Sequence, residues 1–410
     1  MDKDPKAFMC KAGDSTLGER SLELHESAGG VIGICGKVPL DNIEDLSLVY
    51  TPGVAESCKR IAANQNDIYR YTMKKNSVAV ISDGSAVLGL GNIGAYAALP
   101  VMEGKALIFK ELAGIDAFPV CLDTNDTEEI IKTVKHIAPA FGGINLEDIS
   151  APRCFEIEER LRNELPIPVF HDDQHGTAVV VIAGLINALK IVDKKIQHIN
   201  VVISGAGAAG KAIALKLMYA GVSAEKLVVC DSRGVIHKGR KIGMNKEKEE
   251  IASLTNKKKM IGTLADALIG ADVFIGVSAP GIVSVKMVSS MASDAIIFAM
   301  ANPIPEIMPF DAKKAGARVV ATGRSDCPNQ VNNCLGFPGI FRGALDTRAS
   351  NITLEMEMAA VFALADIVTD EELNENYIIP APLDKRVVEA VSLAVSSAAI
   401  KDGVARTDSL

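Results

Sequence analysis

Short apolar runs bounded by turn residues alternate along this chain with amphipathic stretches of helical spacing. SVAVIS (77–82), FPVCLD (118–123), GGINLED (142–148) and PVFHDD (168–173) read as buried strands. Between them, TNDTEEIIKTVKHI (124–137) starts on N-cap residues and early acids, and APRCFEIEERLRNEL carries proline in its first turn; both patterns predict helices. A second series follows: INVVIS (199–204), KLVVCD (226–231), DVFIGVS (272–278), AIIFAMANP (295–303) and ARVVATG (317–323). Strands alternating with helices predict largely parallel sheets of the α/β class. The apolar stretch 174–192 is a long helix expected to bridge the two series. Leu46–Tyr50 reads as one more short strand, stopped by Thr51, Pro52 and Gly53, which leaves Tyr50 at an element's end. The expected architecture is an N-terminal α/β catalytic domain over 1–172 and a Rossmann-type dinucleotide-binding domain over 173–350. Helices over 351–410 would fold back on the core or on a partner.

Length supports that division, since 410 residues exceed one ordinary core. Mean hydropathy of +0.22 with 48% hydrophobic residues fits a well-cored chain rather than a disordered one. A net charge of −8 without a long basic run disfavours nucleic acid and anionic membrane as partners. No uninterrupted apolar run reaches the roughly 18 residues of a membrane span, and the N-terminus lacks the apolar region of a secretory signal. The eight cysteines contain no C-x-x-C, a reducing-compartment pattern that points to the cytosol. Cys327 and Cys334 are the closest pair and read as incidental thiols rather than metal ligands.

Two G-x-G-x-x-G motifs change the picture. Gly205-Ala206-Gly207-Ala208-Ala209-Gly210 follows a strand directly, opens a helix, and precedes Asp231 at the end of the next strand, about 20 residues on, as the dinucleotide fingerprint requires. The copy at Gly89, Gly91 and Gly94 stands several residues beyond its strand, and a glycine-lined substrate or packing loop is its expected role. Glu147-Asp148 and Asp172-Asp173 end two apolar runs, where parallel sheets gather ligand groups. Four carboxylates brought together make a hard-oxygen site suited to Mg²⁺ or Mn²⁺, and without a cation their mutual repulsion would push pKa values up. His171 and His175 stand at i, i+4 like a zinc pair, but amid carboxylates they read as structural or supporting residues. Lys105 follows the glycine-rich stretch among apolar neighbours. Desolvation would lower its pKa toward that of a general base, although most lysines so placed only reach for solvent.

In this order the motifs VYTPGVA (49–55), SDGSAVLGLGNIG (82–94), EGKALIFKELAGIDAFP (103–119), INLEDISAP (144–152), PVFHDDQHGTA (168–178), GAGAAG, ANP (301–303) and NQVNNCLGFPGIFRGALD (329–346) resemble the malic enzyme family in its short, bacterial-like form. The resemblance implies metal-dependent oxidative decarboxylation of L-malate to pyruvate and CO₂ with NAD or NADP. It assigns Tyr50 as the acid that protonates the enol carbon and Lys105 as the base for the substrate hydroxyl. It gives the metal to Glu147, Asp148 and Asp173, and leaves Asp172 to pair with Lys105. Asn302 and Asn333, with Asn332 as an alternative, correspond to amides that touch the cofactor and the substrate carboxylate. A homodimer or higher homo-oligomer is expected. Asp231 favours NAD, whereas Arg233 could hold the extra phosphate of NADP; the balance leans to NAD. One departure stands out: larger members carry a carboxylate-binding arginine in DGERILGLG, and none occurs in 82–94 here. Another cation must serve, with Lys74, Lys75 or a neighbouring subunit as candidates. A malolactic enzyme, which releases lactate, shares these motifs.

Overall fold

The computed structural model describes residues 16–87 and 89–406, organised on two sheets. The first holds β1 (Ser77–Ser82), β2 (Asp116–Cys121), β3 (Gly143–Leu146) and β4 (Val169–His171), all parallel, in the order β2-β1-β3-β4. The second holds β5 (Val201–Ser204), β6 (Leu227–Asp231), β7 (Gly234–Val235), β8 (Val273–Gly276), β9 (Ala295–Ala299) and β10 (Ala317–Thr322), ordered β10-β9-β8-β5-β6-β7. This is the doubly wound dinucleotide order, reversing between β5 and β8, with short β7 antiparallel to β6 at the edge. Every residue of β1, β3, β4, β5, β8 and β9 is buried. Helices on both faces explain why these runs are continuously apolar rather than alternating.

The helix Asp172–Ile191 joins the two sheets and packs against the helices Ala208–Tyr219 and Leu354–Asp366. It is apolar and long enough to cross a bilayer, yet 72% of that stretch lies inside the protein, so its apolarity serves the core. Beyond β10 the chain returns to the first sheet. Phe337 and Phe341, on the helix Phe337–Asp346, stack on Phe109 at centroid distances of 4.6 and 5.3 Å. The expected boundary at 350 therefore falls after the chain has already left the second sheet. The helix Arg386–Lys401 crosses this return helix closely: a Cβ on Gly339 would stand 2.7 Å from Val391. One hydrophobic cluster runs from β1 through the bridging helix to β5 and the last helix.

Two local readings change. Ile43–Val49 is a helix, not a strand; Asn42 caps it by accepting from the Asp45 N–H, and Tyr50 closes it. The apolar residues there fit either period, and the N-cap with Glu44 and Asp45 in the first turn decides. The strand ending in PVFHDD stops at His171, so Asp172 and Asp173 open the bridging helix. Its free N–H groups favour carboxylates there.

Candidate active site

The carboxyl ends of β3 and β4 meet the start of the bridging helix in a polar pocket. Glu147 continues the ladder past β3, its N–H donating to the Ile81 carbonyl at 2.9 Å. Asp148 then turns into the left-handed region (φ 54°), a conformation a non-glycine residue holds only when its surroundings fix it. Its own N–H donates to Asp173 Oδ2 at 2.8 Å, tying the two acidic pairs together. Glu147, Asp148 and Asp173 each present a carboxylate oxygen, and these lie within 4.8 Å of one another. Among the described residues this is the one such His, Cys, Asp or Glu group with metal-ligand spacing.

Asp172 faces the other way. Its Oδ2 is 2.5 Å from Lys105 Nζ, and it also accepts from the Asn333 side chain. Lys105 lies on the buried face of the helix Gly94–Ala113, with Nζ 2.9 Å from Glu147 Oε1 and 4.1 Å over the Phe337 ring. The four acids are thus unequal: three converge on a common point, and the fourth grips a lysine.

The electrostatics differ from the sequence reading of Lys105. Burial does act to lower its pKa, but Asp172 and Glu147 outweigh burial and hold it above the ordinary lysine range, as a cation. Desolvation and mutual repulsion push the Glu147, Asp172 and Asp173 carboxyls upward. One ammonium among four crowded carboxylates leaves the pocket short of positive charge. Hard oxygen donors and that deficit fit a divalent cation such as Mg²⁺ or Mn²⁺ held by Glu147, Asp148 and Asp173.

Behind the pocket lies a buried ionic chain whose members are too far apart in sequence to be joined by motif or spacing. Glu158 accepts from the His171 backbone N–H at 3.1 Å and the Gln174 amide at 2.8 Å, and pairs with His175. His175 Nδ1 is 2.9 Å from Lys216 Nζ, which pairs with Glu357 at 2.6 Å. Burial opposes charge on His175, but Glu158 and Glu357 outweigh it and raise its pKa. The chain links four helices and fixes the turn that presents Asp172 and Asp173. His175 joins this chain through its ring, and His171 through its backbone N–H.

The 205–210 turn has the geometry its sequence demands. Gly205 adopts φ 118°, and a Cβ on it would collide with Val277 of the loop after β8. A Cβ on Gly210 would strike the Gly205 carbonyl, while Gly207 has nothing within 4 Å, leaving room for a ligand's approach. Ala208 and Ala209 open the next helix with no side-chain cap, and Ala206 is half-buried beneath the turn. Their free N–H groups form an anion-binding end. Asp231 ends β6, bonded by the Arg233 N–H at 2.9 Å and by Lys248 at 2.7 Å, with Arg240 against the same carboxylate. Burial would raise its pKa, yet these partners bring it down to about 2. Arg240 and Lys248 carried no motif and were missed.

Other predicted residues fare differently. Asn302 is exposed on the loop after β9, and Gly89 packs so tightly beneath its carbonyl that a Cβ there would clash. Close packing in this motif is at Gly89; a Cβ on Gly91 or Gly94 would meet nothing within 4 Å. Asn333 reaches Asp172, whereas the Asn332 side chain accepts from the Cys334 N–H and caps a short helical turn. Lys74 cannot serve as the substrate cation: it is buried, donating to the Ala138 and Phe141 carbonyls at 3.0 and 2.5 Å. Lys75 is exposed. Arg153 instead reaches the 82–94 loop, pairing with Asp83 at 2.7 Å and meeting Ser85 at 3.0 Å. Tyr50 is 67% exposed, outside the pocket that Lys105 occupies.

Comparison with known proteins identifies both domains. Residues 33–162 match the family described as malic enzyme, N-terminal domain, and residues 174–403 the one described as malic enzyme, NAD binding domain. The chain is 59% identical over 391 residues to a bifunctional malic/malolactic enzyme of Bacillus subtilis, covering 95% of each. It is 59% identical to an NAD-dependent malic enzyme of Geobacillus stearothermophilus, covering 96% of this chain and 81% of that one. Among solved structures, malic enzyme from Pyrococcus horikoshii superposes with a TM-score of 0.91 at 51% identity, covering 96% of this chain and 92% of the other. With both family domains matched in order and a site built where their motifs fall, this chain belongs to the malic enzyme family.

Proposed function

We propose that this chain oxidatively decarboxylates L-malate to pyruvate and CO₂ with reduction of NAD(P), dependent on Mg²⁺ or Mn²⁺. One observation carries the reading: Glu147 belongs both to the three-carboxylate cluster and to the ion pair of Lys105, so cation and base share a residue. Bound by Glu147, Asp148 and Asp173, a divalent cation would polarise the substrate oxygen; a nicotinamide bound over Gly205–Gly210 would take the hydride.

The rest falls to side chains. Lys105 Nζ takes the hydroxyl proton. In the resting pocket it is an ammonium held by two carboxylates. To act as base it must first give a proton to Asp172, 2.5 Å away, whose own carboxyl burial pushes up to about 7. With a divalent cation on Glu147 that transfer is favoured, because a neighbouring positive charge is then disfavoured. Asp172, fixed by Asn333, aims Nζ at the substrate. Asn333 and Asn302 supply amide donors for carboxylate and cofactor. Tyr50 protonates the enol carbon. NAD is the preferred cofactor, because a carboxylate at Asp231, the end of β6, suits ribose hydroxyls.

Malate with NAD or NADP, with and without Mn²⁺, should give reduced nicotinamide and pyruvate only when the metal is present, and faster with NAD. Lys105→Ala should lower malate oxidation by about 10²- to 10⁴-fold. Near-normal oxidation by that variant would overturn the base assignment. The Bacillus subtilis relative named as malic/malolactic supports a second reading, in which pyruvate is retained and reduced; lactate released without net reduced nicotinamide would establish it.

A further inference from the structure

A carboxylate that the mechanism above does not use lies at the ligand-facing edge of the second sheet. Glu306 is fully buried. Its Oε1 accepts the Ser278 N–H and its Oε2 the Ala301 N–H, each at 2.9 Å. Ser278 belongs to the loop after β8 and Ala301 to the loop after β9, so one side chain spans two loops. The backbone continues the join. The Gly281 N–H donates to the Pro305 carbonyl and the Val283 N–H to the Glu306 carbonyl, both at 3.0 Å. Burial pushes the Glu306 pKa up, while the Ala301 and Ser278 N–H groups act the other way.

The residue type is specific to this task. Two N–H donors converging from separate loops need two acceptors, and a carboxylate offers two oxygens with no donor between them. Glutamine would turn an NH₂ toward one of the two N–H groups. Gly276, the last residue of β8, makes room: a Cβ there would stand 2.4 Å from Glu306 Cδ. Loop N–H groups at a surface are ordinarily satisfied by water, whereas burying a carboxylate is unfavourable. A buried clamp of this kind belongs where loop geometry matters.

The loop after β8 borders the glycine turn. A Cβ on Gly205 would stand 2.4 Å from the Val277 carbonyl oxygen, and Ser278 Oγ is 3.0 Å from Ser204 Oγ at the end of β5. On the other loop Asn302 follows Ala301 directly and is exposed, and Arg324 steadies the far side by donating to the Pro303 carbonyl at 3.0 Å. With Asp231 on β6 at the adenosine ribose, a dinucleotide crossing the reversal between β5 and β8 carries its nicotinamide toward β8 and β9. The clamp therefore sits at the hydride-transfer end.

We infer that Glu306 is a positioning residue for hydride transfer: its carboxylate locks the loops after β8 and β9 together, so that the Gly205 turn and Asn302 meet one nicotinamide cofactor at a fixed spacing. It acts through Asn302 and the 277–278 backbone rather than by touching the cofactor. A misplacement of about 1 Å at the reacting atoms is enough to slow the transfer by roughly 10²-fold.

The inference rests on the nicotinamide and malate readings, and its test separates them. Glu306→Gln keeps the shape and removes one acceptor. NAD affinity by calorimetry should fall about 10-fold and kcat by about 10- to 10²-fold. The isotope effect with malate deuterated at its hydroxyl-bearing carbon should rise, because hydride transfer becomes slower than product release. Mn²⁺ affinity should hold, since Glu147, Asp148 and Asp173 cluster beyond β3 and β4; a parallel fall would mean general loosening and overturn the assignment. Gly276→Ala displaces the same carboxylate with Glu306 intact, should reproduce the pattern, and decides the matter if Glu306→Gln fails to fold. A glutamate that only stabilises the fold would lower the melting midpoint and leave NAD affinity and the isotope effect at wild-type values, which would overturn the inference. Amide exchange reads the clamp without turnover: segments holding Ser278 and Ala301 should exchange about 10-fold faster in Glu306→Gln, and wild-type rates there would refute it. A wild-type protein that binds NAD but leaves malate unoxidised would refute the malate reading alone, with NAD affinity and exchange still deciding the clamp.

Discussion

Gly176→Ala isolates the role of Asp172 without touching it. Gly176 lies one helical turn after Asp172, and a Cβ there would stand 2.8 Å from Asp172 Cγ and closer still to Oδ1. Carbon atoms pack at about 3.5–4.0 Å, so the carboxylate must move by on the order of 1 Å. It has nowhere to go: Asp172 is fully buried and held by Lys105 at 2.5 Å and by Asn333. Moving it drags Lys105 Nζ off its line to the substrate. A displacement of about 1 Å near reacting atoms costs roughly 10²-fold, or about 2.7 kcal/mol of transition-state stabilisation. The fold suffers less. Overpacking costs about 1–3 kcal/mol, and replacing glycine within a helix returns roughly 0.8–1.0 kcal/mol. The variant should remain folded, with a modest fall in thermal midpoint. Steady-state malate oxidation beside a melting curve separates the two effects. A kcat/KM equal to wild type would mean that Asp172 does not position the base.

Glu147→Gln should weaken Mn²⁺ binding by at least about 10-fold in the substrate-free protein, read by electron paramagnetic resonance of the free ion, because it removes one of three converging carboxylates. Unchanged affinity would place the cation elsewhere. Arg240→Ala tests the Asp231 cluster through acid stability. Asp231 has a folded pKa of about 2, below its ordinary value, so its contribution is complete above about pH 4 and lost as pH falls toward the folded value. Removing Arg240 raises that folded pKa. The variant should be less stable than wild type near pH 7 and should lose less on acidification, measured by urea midpoints; parallel losses would refute the coupling.

Much of this site was legible because its chemistry is local in sequence. The strand, glycine turn and terminal Asp231 of the nucleotide unit appear where spacing placed them, since backbone sterics and helix-end N–H groups act within one βαβ unit. The acidic pairs announced a hard-cation site for the same reason. Tyr50 was harder: its apolar run fitted a strand as well as a helix, and the Asn42 cap decided.

What the sequence determined by itself was the alternation of buried strands and helices, the glycine turn, and which residue types could hold a cation or move a proton. Only the tertiary structure decided how the four carboxylates divide. Asp172 and Asp173 are neighbours in sequence, yet successive side chains on a helix point about 100° apart, so one reaches Lys105 and the other the cluster. The sign of the Lys105 shift was likewise decided there. Burial and ion pairing act in opposite directions, and the winner depends on Asp172 and Glu147 at 2.5 and 2.9 Å, distances set by residues far apart in the chain.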